Sequence, residues 1–266
     1  MDRKKTRLFC WSGGGLPGLD IHAGIWCALE ELGVYATANA GTSAGAIVGA
    51  LNSDGQRSST VTAMLRGLSD RDVRSRRFAW PLRIRHIDSF LKHEPIEKLL
   101  EKLLPPTFSD LKKPLTVCMT HEETGRSALA LHGDLRRAVL ASMSIAGVFP
   151  PVSIGEKVFS DGGPSQFLPL PGDYLAYDEL WMLCAKRPLS YAKRNGSIIA
   201  RMMYNIDLLY EAQVAATIFY TQQNHGCVRV IHPHVEAPRG SLEFDHGLIG
   251  EAYSRARLMV KSRGWA

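Results

Sequence analysis

Apolar and polar positions along the chain follow two periods, one typical of strands and one typical of helices. Apolar residues at 7–12 predict a first strand, and a helical repeat that ends at Gly33 follows the glycines after it. A second strand is predicted at 34–40, and a small-residue helix at 44–52. The order of strand, glycine loop, helix, strand, turn and helix is typical of a parallel α/β sheet.

The same two periods predict elements in the remainder of the chain. They are helices over 95–104, 135–144, 198–220 and 248–261, and strands over 115–120, 127–131, 157–160, 178–184 and 228–232. The helix over 198–220 carries an apolar stripe that we expect to pack into the core; it comprises Ile199, Met202, Met203, Ile206, Leu209 and Tyr210. Neither an internal repeat nor a low-complexity linker is present, so one domain over 1–266 is predicted, with a core of about 8–257.

Composition supports a soluble globular protein. The chain has 266 residues, of which 45% are hydrophobic and 22% are charged. No apolar run approaches the roughly 18 residues that a membrane span needs. The apolar stretch after the basic residues 1–7 is too short for the core of a signal peptide, and the five cysteines are scattered. We therefore expect a cytoplasmic chain with reduced thiols.

Positive charge is concentrated in the segment 71–85. The net charge of +6 favours phosphate-bearing partners without choosing between lipid and nucleic acid. Six arginines surround an apolar pair: Arg71, Arg74, Arg76, Arg77, Arg83 and Arg85, around Phe78 and Trp80. An ordinary solvated surface has the same composition. We predict a mobile flap over 68–88 that docks transiently on an anionic membrane through Arg76, Arg77, Phe78 and Trp80.

Ser43 stands at the centre of a G-x-S-x-G pentapeptide that runs from Gly41 to Gly45. A serine hydroxyl becomes a useful nucleophile only when the backbone presents it and a base takes its proton. Glycines on either side allow a sharp turn from strand into helix, and the helix then directs its positive end at the serine oxygen. A tight turn that only packs small residues has the same pattern, so the surrounding motifs must decide.

A glycine-rich loop, G-G-G-x-x-G over 13–18, follows the first predicted strand. It matches the dinucleotide fingerprint G-x-G-x-x-G, but that motif needs an acidic residue at the end of the second strand, where this chain has Asn39. Consecutive glycines also point several N–H groups into one concavity, which suits a developing oxyanion. We interpret the segment as an oxyanion loop; a plain structural turn and a nucleotide loop are the alternatives.

Taken together, three motifs resemble those of the patatin-like phospholipases in order and spacing. They are Gly13-Gly14-Gly15-Leu16-Pro17-Gly18, Gly41-Thr42-Ser43-Ala44-Gly45 and Asp161-Gly162-Gly163. The stretch over 141–151 is also similar to the helix and apolar turn that precede D-G-G in that family. The likeness covers about 8–257, most of the chain.

The resemblance implies a three-layer α/β/α sandwich around a mainly parallel sheet, and a serine hydrolase that cleaves fatty acyl esters of phospholipids or other acyl lipids. It implies a catalytic dyad of Ser43 and Asp161, with no metal and no cofactor. The other residues it assigns are the oxyanion donors Gly13, Gly14 and Gly15 and the supporting glycines Gly18, Gly41, Gly45, Gly162 and Gly163. Two positions depart from the family pattern: Pro17 replaces a frequent Arg or Lys, and Phe167 replaces a common Asn.

Two kinds of residue could act as the base that activates Ser43: Asp161 alone, or a histidine supported by an acid. A free Asp has a pKa near 3.9 and is a weak base for a hydroxyl, so we expect Asp161 to be buried without a cationic partner. A Ser-acid-His triad is the rival, since four histidines follow Asp161 in the chain: His225, His232, His234 and His246. His232 and His234 also suit zinc, but no third ligand is evident.

Two other classes of function fit the same residues. One is an esterase or acyltransferase that acts on small soluble esters. The other is a lipid- or nucleotide-binding module without turnover, although a module would have no use for both Ser43 and Asp161. No nucleic acid partner is expected.

Overall fold

The computed structural model of the chain describes residues 5–73, 91–185, 198–235 and 243–266. The strands in these ranges are Arg7–Trp11 (β1), Ala38–Thr42 (β2), Leu115–His121 (β3), Ser127–Ala130 (β4), Val152–Ile154 (β5), Lys157–Asp161 (β6), Glu179–Leu183 (β7) and Val228–Ile231 (β8). The α-helices are Gly15–Glu31 (α1), Ala44–Ser53 (α2), Ser58–Arg66 (α3), Asp70–Val73 (α4), Glu94–Leu103 (α5), Leu135–Ser142 (α6), Gly163–Gln166 (α7), Ile198–Asn224 (α8) and Gly247–Ser262 (α9).

All eight strands join one sheet in the order β5-β6-β3-β2-β1-β7-β8, with β4 paired to β3 off this path. The run β3-β2-β1-β7-β8 is parallel throughout. Three pairings are antiparallel: β6 with β3, β5 with β6, and β4 with β3. The predicted α/β class with a mainly parallel sheet is therefore confirmed.

Side chains alternate across the central strands and build a core on each face of the sheet. Phe9 and Trp11 of β1 belong to the larger core, which α1, α2 and α9 cover. Leu8 and Cys10 point to the opposite face and belong to a smaller core with Val214 of α8. Helices thus lie on both faces of the sheet, as in a three-layer sandwich.

Most predicted elements are present with small changes at their ends. The second strand is Ala38–Thr42, four residues later at its start than predicted, so Ser43 follows the strand directly. The strand β5 and the helix α3 were not predicted, because one is three residues long and the other has few apolar residues.

The expectation that the stripe of α8 packs into the core is wrong for two of its residues. Leu209 is 68% exposed and Ile206 is 36% exposed. The side of α8 that packs against the sheet contains Val214 instead, and Tyr210 is half-buried. Apolar residues occur on more than one side of the helix, so their period alone does not identify the buried face.

The larger part of the predicted flap, residues 74–88, lies outside the described residues. Arg76, Arg77, Phe78 and Trp80 are among those for which the structure gives no description. Among the residues it does describe, none of the helices has the length and apolar character needed to cross a membrane.

Candidate active site

Register in the sheet brings Ser43 and Asp161 to the same place. Thr42, the last residue of β2, pairs with Cys118 of β3. The next residue of β3, Met119, pairs on its other side with Asp161, the last residue of β6. Ser43 and Asp161 therefore leave the sheet at neighbouring levels on either side of β3.

The backbone of Ser43 adopts an uncommon conformation, with φ 54° and ψ −120°. A positive φ is costly for a residue with a Cβ and is typical of the sharp strand-to-helix turn that presents a nucleophile. The Ser43 N–H donates to Ser142 Oγ at 2.9 Å, and the Ser43 carbonyl accepts from the Ala46 N–H at 2.9 Å. These bonds hold the turn in place.

Glycine is required on both sides of the serine for steric reasons. A Cβ on Gly45 would collide with the carbonyl oxygen of Trp11, and one on Gly41 would collide with the carbonyl oxygen of Gly45. The close approach places the start of α2 directly against β1 and β2. The positive end of α2 consequently lies at Ser43.

Asp161 is buried, with 6% of its surface exposed. Its Oδ1 accepts the Gly163 N–H at 2.7 Å. Burial raises its pKa to about 6, although a side-chain hydrogen bond from Ser43 and the N–H of Gly163 both act to lower it. Oδ2 has no hydrogen-bond partner of regular geometry within the described residues.

The D-G-G glycines are also sterically required. A Cβ on Gly162 would collide with the carbonyl of Cys118, and a Cβ on Gly163 would lie 2.8 Å from Asp161 Oδ1. Both glycines thus let the chain turn tightly around the carboxylate and pack against β3.

The glycine loop lies at the N-terminus of α1, beside the start of α2. Gly18 faces Ala44 so closely that a Cβ on Gly18 would be 3.3 Å from the Ala44 Cβ. Gly15 has a φ of +64°, which glycine adopts without strain. Pro17 lies in the first turn of α1, where a missing N–H costs no helical hydrogen bond.

The three glycines predicted as oxyanion donors differ in their hydrogen bonds. The Gly13 N–H donates to the Phe167 carbonyl at 2.8 Å and is thereby occupied. The N–H groups of Gly14 and Gly15 donate to no group in the part of the chain that the structure describes. Of the predicted donors, these two are available to a developing negative charge.

An apolar cleft opens beside Ser43 and Gly15, with about 460 Å³ of space when the open solvent at its mouth is included. Its other lining residues are Leu16, Leu19, Ala44, Ile47, Val73, Leu91, Ile96, Met143, Ile145 and Phe149. The walls come from α1, α2, α4 and α5, from Leu91 before α5 and from the segment after α6. Such a lining suits a hydrocarbon chain rather than a polar group.

The histidines considered as rivals have partners elsewhere in the fold. His225 contacts the Tyr177 carbonyl at 2.8 Å, and His246 bonds to Asp20 at 3.0 Å. The His232 and His234 rings lie 4.1 Å apart. None of the influences on the Asp161 pKa is a described histidine or cation. In the described ranges no group of three or more His, Cys, Asp or Glu residues is placed to hold a metal ion.

Two serines that support the site were missed by the sequence reasoning. The Ser142 carbonyl accepts the Gly162 N–H at 3.3 Å, and the Ser144 carbonyl accepts the Asp161 N–H at 2.9 Å. Both serines lie in the stretch over 141–151 that carried part of the family resemblance. No local pattern indicates that this stretch holds the backbone of both Ser43 and the Asp161 turn.

Comparisons with known proteins identify the family of the chain. A family model described as patatin-like phospholipase matches residues 9–173. The chain is 29% identical over 187 residues to the uncharacterized protein YqhO of Bacillus subtilis (strain 168), covering 60% of this chain and 64% of that protein. It is also 29% identical over 164 residues to an uncharacterized NTE family protein of Mycobacterium tuberculosis (strain ATCC 25618 / H37Rv), covering 59% and 42%. The match thus spans less than two thirds of each relative's length.

Among solved structures, VipD from Legionella pneumophila has a TM-score of 0.55 and 13% sequence identity to this chain. The superposition covers 98% of this chain and 67% of VipD, which shows a shared fold. The family model accounts for more than half of the chain. The protein therefore belongs to the patatin-like phospholipase family.

Proposed function

We propose that the protein is a lipid acyl hydrolase of phospholipase A type, with Ser43 as nucleophile and Asp161 as base. One observation carries the proposal. A serine held in a strained turn faces a buried carboxylate whose pKa is raised to about 6, at the mouth of an apolar cleft. Family membership supports lipid hydrolysis in general.

In the acylation step, Asp161 takes the proton of the Ser43 hydroxyl while the oxygen attacks the carbonyl carbon of the ester. The carbonyl oxygen becomes an oxyanion, and the N–H groups of Gly14 and Gly15 donate to it. Each such donor is worth about 3 kcal/mol in the transition state. As the tetrahedral intermediate collapses, Asp161 returns the proton to the leaving alkoxide, and the alcohol departs from the acyl-enzyme.

Deacylation repeats these events with water as the nucleophile. Asp161 takes a proton from the water while its oxygen attacks the acyl-enzyme carbonyl, and the same two amides stabilise the second oxyanion. The proton then passes to Ser43, which restores the resting enzyme and releases the fatty acid. A raised pKa makes Asp161 a stronger base than an exposed Asp, and this suits both steps.

The apolar cleft supports a fatty acyl substrate. Its lining runs from Ser43 along Ile47 of α2 and Leu19 of α1. Burial of an acyl chain there gains about 0.8 kcal/mol for each methylene removed from water. An acetyl or other short ester would leave most of this surface unused.

Exposed apolar residues on α8 support action at a lipid surface. Leu208 is 42% exposed, Leu209 is 68% exposed and Phe219 is 66% exposed. The half-buried Tyr210 places the first part of this exposed face near Gly163 at the catalytic edge of the sheet. Transient membrane contact through α8, together with the cationic segment predicted from the sequence, is part of the proposal.

The deciding experiment is labelling with a fluorophosphonate probe, followed by mass spectrometry of lipids after incubation with mixed membranes. We expect the wild type to be labelled and to release free fatty acid, and both Ser43→Ala and Asp161→Asn to lose the two activities. Labelling that survives in Ser43→Ala would refute the nucleophile. Equal rates on micellar and monomeric esters would favour the soluble esterase, and product esters formed with added alcohol would favour an acyltransferase.

A further inference from the structure

Three groups converge beside the Cα of Gly163, and one of them comes from a helix that lies beyond the matched family region. A Cβ on Gly163 would lie 2.8 Å from Asp161 Oδ1, 3.2 Å from the Tyr210 hydroxyl and 3.3 Å from Phe167 Cδ2. The two oxygens are therefore within about 6 Å of each other, a range in which one polar group affects the ionisation of another.

The ring of Tyr210 packs on Phe167, the residue that departs from the family pattern. The two rings are stacked with centroids 4.5 Å apart and an interplanar angle of 21°. Phe167 in turn lies against the glycine loop, since a Cβ on Gly13 would be 2.7 Å from its ring. The stacked pair thus contacts both the oxyanion loop and the turn that carries Asp161.

Gln213, one turn further along α8, reinforces this contact. Its Oε1 accepts the Phe167 N–H, and its Nε2 donates to the Pro164 carbonyl at 3.4 Å. The Phe167 carbonyl accepts the Gly13 N–H. The backbone of Phe167 therefore connects α8 to the loop that holds Gly14 and Gly15.

We propose that Tyr210 is a positioning residue for the catalytic pair, whose ring fixes Phe167 and whose hydroxyl faces the Asp161 carboxylate across Gly163. The inference rests on the proposed function. It extends that proposal to α8, a helix that lies outside the three family motifs at 13–18, 41–45 and 161–163.

The hydroxyl is suited to this position because it stays protonated. Burial raises the pKa of Tyr210, and the charges of Asp161 and Asp207 raise it further. Among the described residues, Cys118 of β3 also interacts with the charge of Asp161, and burial raises the pKa of this thiol to about 12. Near neutral pH both the Tyr210 phenol and the Cys118 thiol are therefore uncharged. A phenol O–H stabilises the ionised carboxylate, so its removal raises the Asp161 pKa.

The test compares Tyr210→Phe, which keeps the ring, with Tyr220→Phe, the same change at a 55% exposed position of the same helix. The rate of fluorophosphonate labelling is measured from about pH 4.5 to 8.5. We expect the acid limb of Tyr210→Phe to move to higher pH by about half a unit, with a plateau within about threefold of wild type. Tyr210→Leu, which also loses the stack, should lower the plateau about tenfold. Profiles of Tyr210→Phe and Tyr220→Phe that both superimpose on wild type would overturn the proposal.

A second measurement does not depend on activity. In a Ser43→Ala background, the titration of the ¹³C-labelled Asp161 carboxyl is followed by NMR with and without Tyr210→Phe. A higher midpoint in the double variant supports the proposal, and an unchanged midpoint contradicts it. If the wild type is not labelled by the probe at all, the proposed function fails, while this titration still decides the role of Tyr210.

Discussion

The hydroxyl of Ser142 accepts the backbone N–H of Ser43 at 2.9 Å and donates its own proton to the Cys118 carbonyl at 2.6 Å. Ser142 is fully buried at the end of α6. It connects the strained nucleophile turn to β3, and its carbonyl accepts the N–H of Gly162 beside Asp161. One residue thus holds the backbone on both sides of the dyad.

Ser142→Ala is expected to lower both the free energy of unfolding and kcat. The fall in kcat should be larger than the loss of folded protein accounts for. The substitution removes the hydroxyl that accepts the Ser43 N–H and donates to the Cys118 carbonyl, which costs about 1–3 kcal/mol of stability. Because the turn is then free to relax from its positive φ, we expect kcat to fall about 10- to 100-fold with little change in KM. Steady-state kinetics on a soluble ester and urea unfolding measure the two effects.

The matched control is Ser53→Ala, which removes another fully buried hydroxyl at the far end of α2. Its oxygen accepts from Asn39 at 2.9 Å, so a similar loss of stability is expected, with kcat retained. An equal fall of kcat in both variants would mean that Ser142 has only a general structural role.

The pH dependence of activity should report the ionisation of Asp161. Only the carboxylate form accepts the Ser43 proton, so kcat/KM rises with pH through the pKa of about 6 and levels off above it. One unit below the pKa, the rate is expected to be about tenfold lower than the plateau. A midpoint near the ordinary Asp value would show that burial does not set the basicity of Asp161.

The same pKa shift predicts a cost in stability. The folded pKa of Asp161 lies above its unfolded value of 3.8, so the native state binds the proton more tightly and the free energy of unfolding falls as pH rises from about 4 to above 6. At about pH 8 the cost approaches about 3 kcal/mol. Asp161→Asn removes this cost in stability, and its amide oxygen still accepts the Gly163 N–H. We therefore expect this inactive variant to be more stable than wild type at pH 8, by urea unfolding.

At about pH 4 the stability advantage of Asp161→Asn over wild type should disappear, because wild-type Asp161 is then neutral as well. Asp54→Asn removes one negative charge at a surface carboxylate that accepts from the Gln56 side chain, and it controls for the change in net charge. A gain at pH 8 that is the same in both variants would trace the effect to net charge rather than to burial.

Steric rules explain why so much of the site was predictable from the sequence. Gly41, Gly45 and Gly162 stand where a Cβ would collide with backbone, so their spacing predicts where the chain must turn tightly. The predicted family and α/β class are confirmed. The roles of Ser43 and Asp161 stay predictions until activity is measured.

Contacts between distant segments were not predictable in the same way. Ser142 reaches Ser43 by a hydrogen bond, and Tyr210 reaches Phe167 by stacking, each across more than 40 residues of sequence. Hydrophobic periodicity describes single elements and does not predict such contacts. The engagement of the Gly13 N–H by Phe167 also depends on where α7 ends. The exposed side of α8 was misassigned because apolar residues surround much of the helix.

The cleft predicts which acyl chains the enzyme accepts. Ile47 lies one turn after Ser43 on α2, is buried, and lines the cleft together with Leu19 of α1. Ile47→Phe fills this space close to the nucleophile, whereas Ile47→Ala enlarges it. Space for one methylene in an apolar pocket changes the relative transition-state free energy of two acyl chain lengths by about 1–3 kcal/mol.

We expect Ile47→Phe to lower kcat/KM for long acyl esters about tenfold or more while the butyrate ester is hydrolysed at a rate close to wild type. Ile47→Ala should move the optimum towards longer chains. A series of p-nitrophenyl esters of increasing length measures both, and the melting temperature of each variant shows whether the substitution is tolerated in the core. Leu209→Ala, a change at an exposed site away from the cleft lining, is the control and should keep the wild-type profile on these monomeric esters. If Ile47→Phe lowers the rates of all chain lengths by the same factor, the acyl chain lies elsewhere, since only a residue that contacts the chain can discriminate by length.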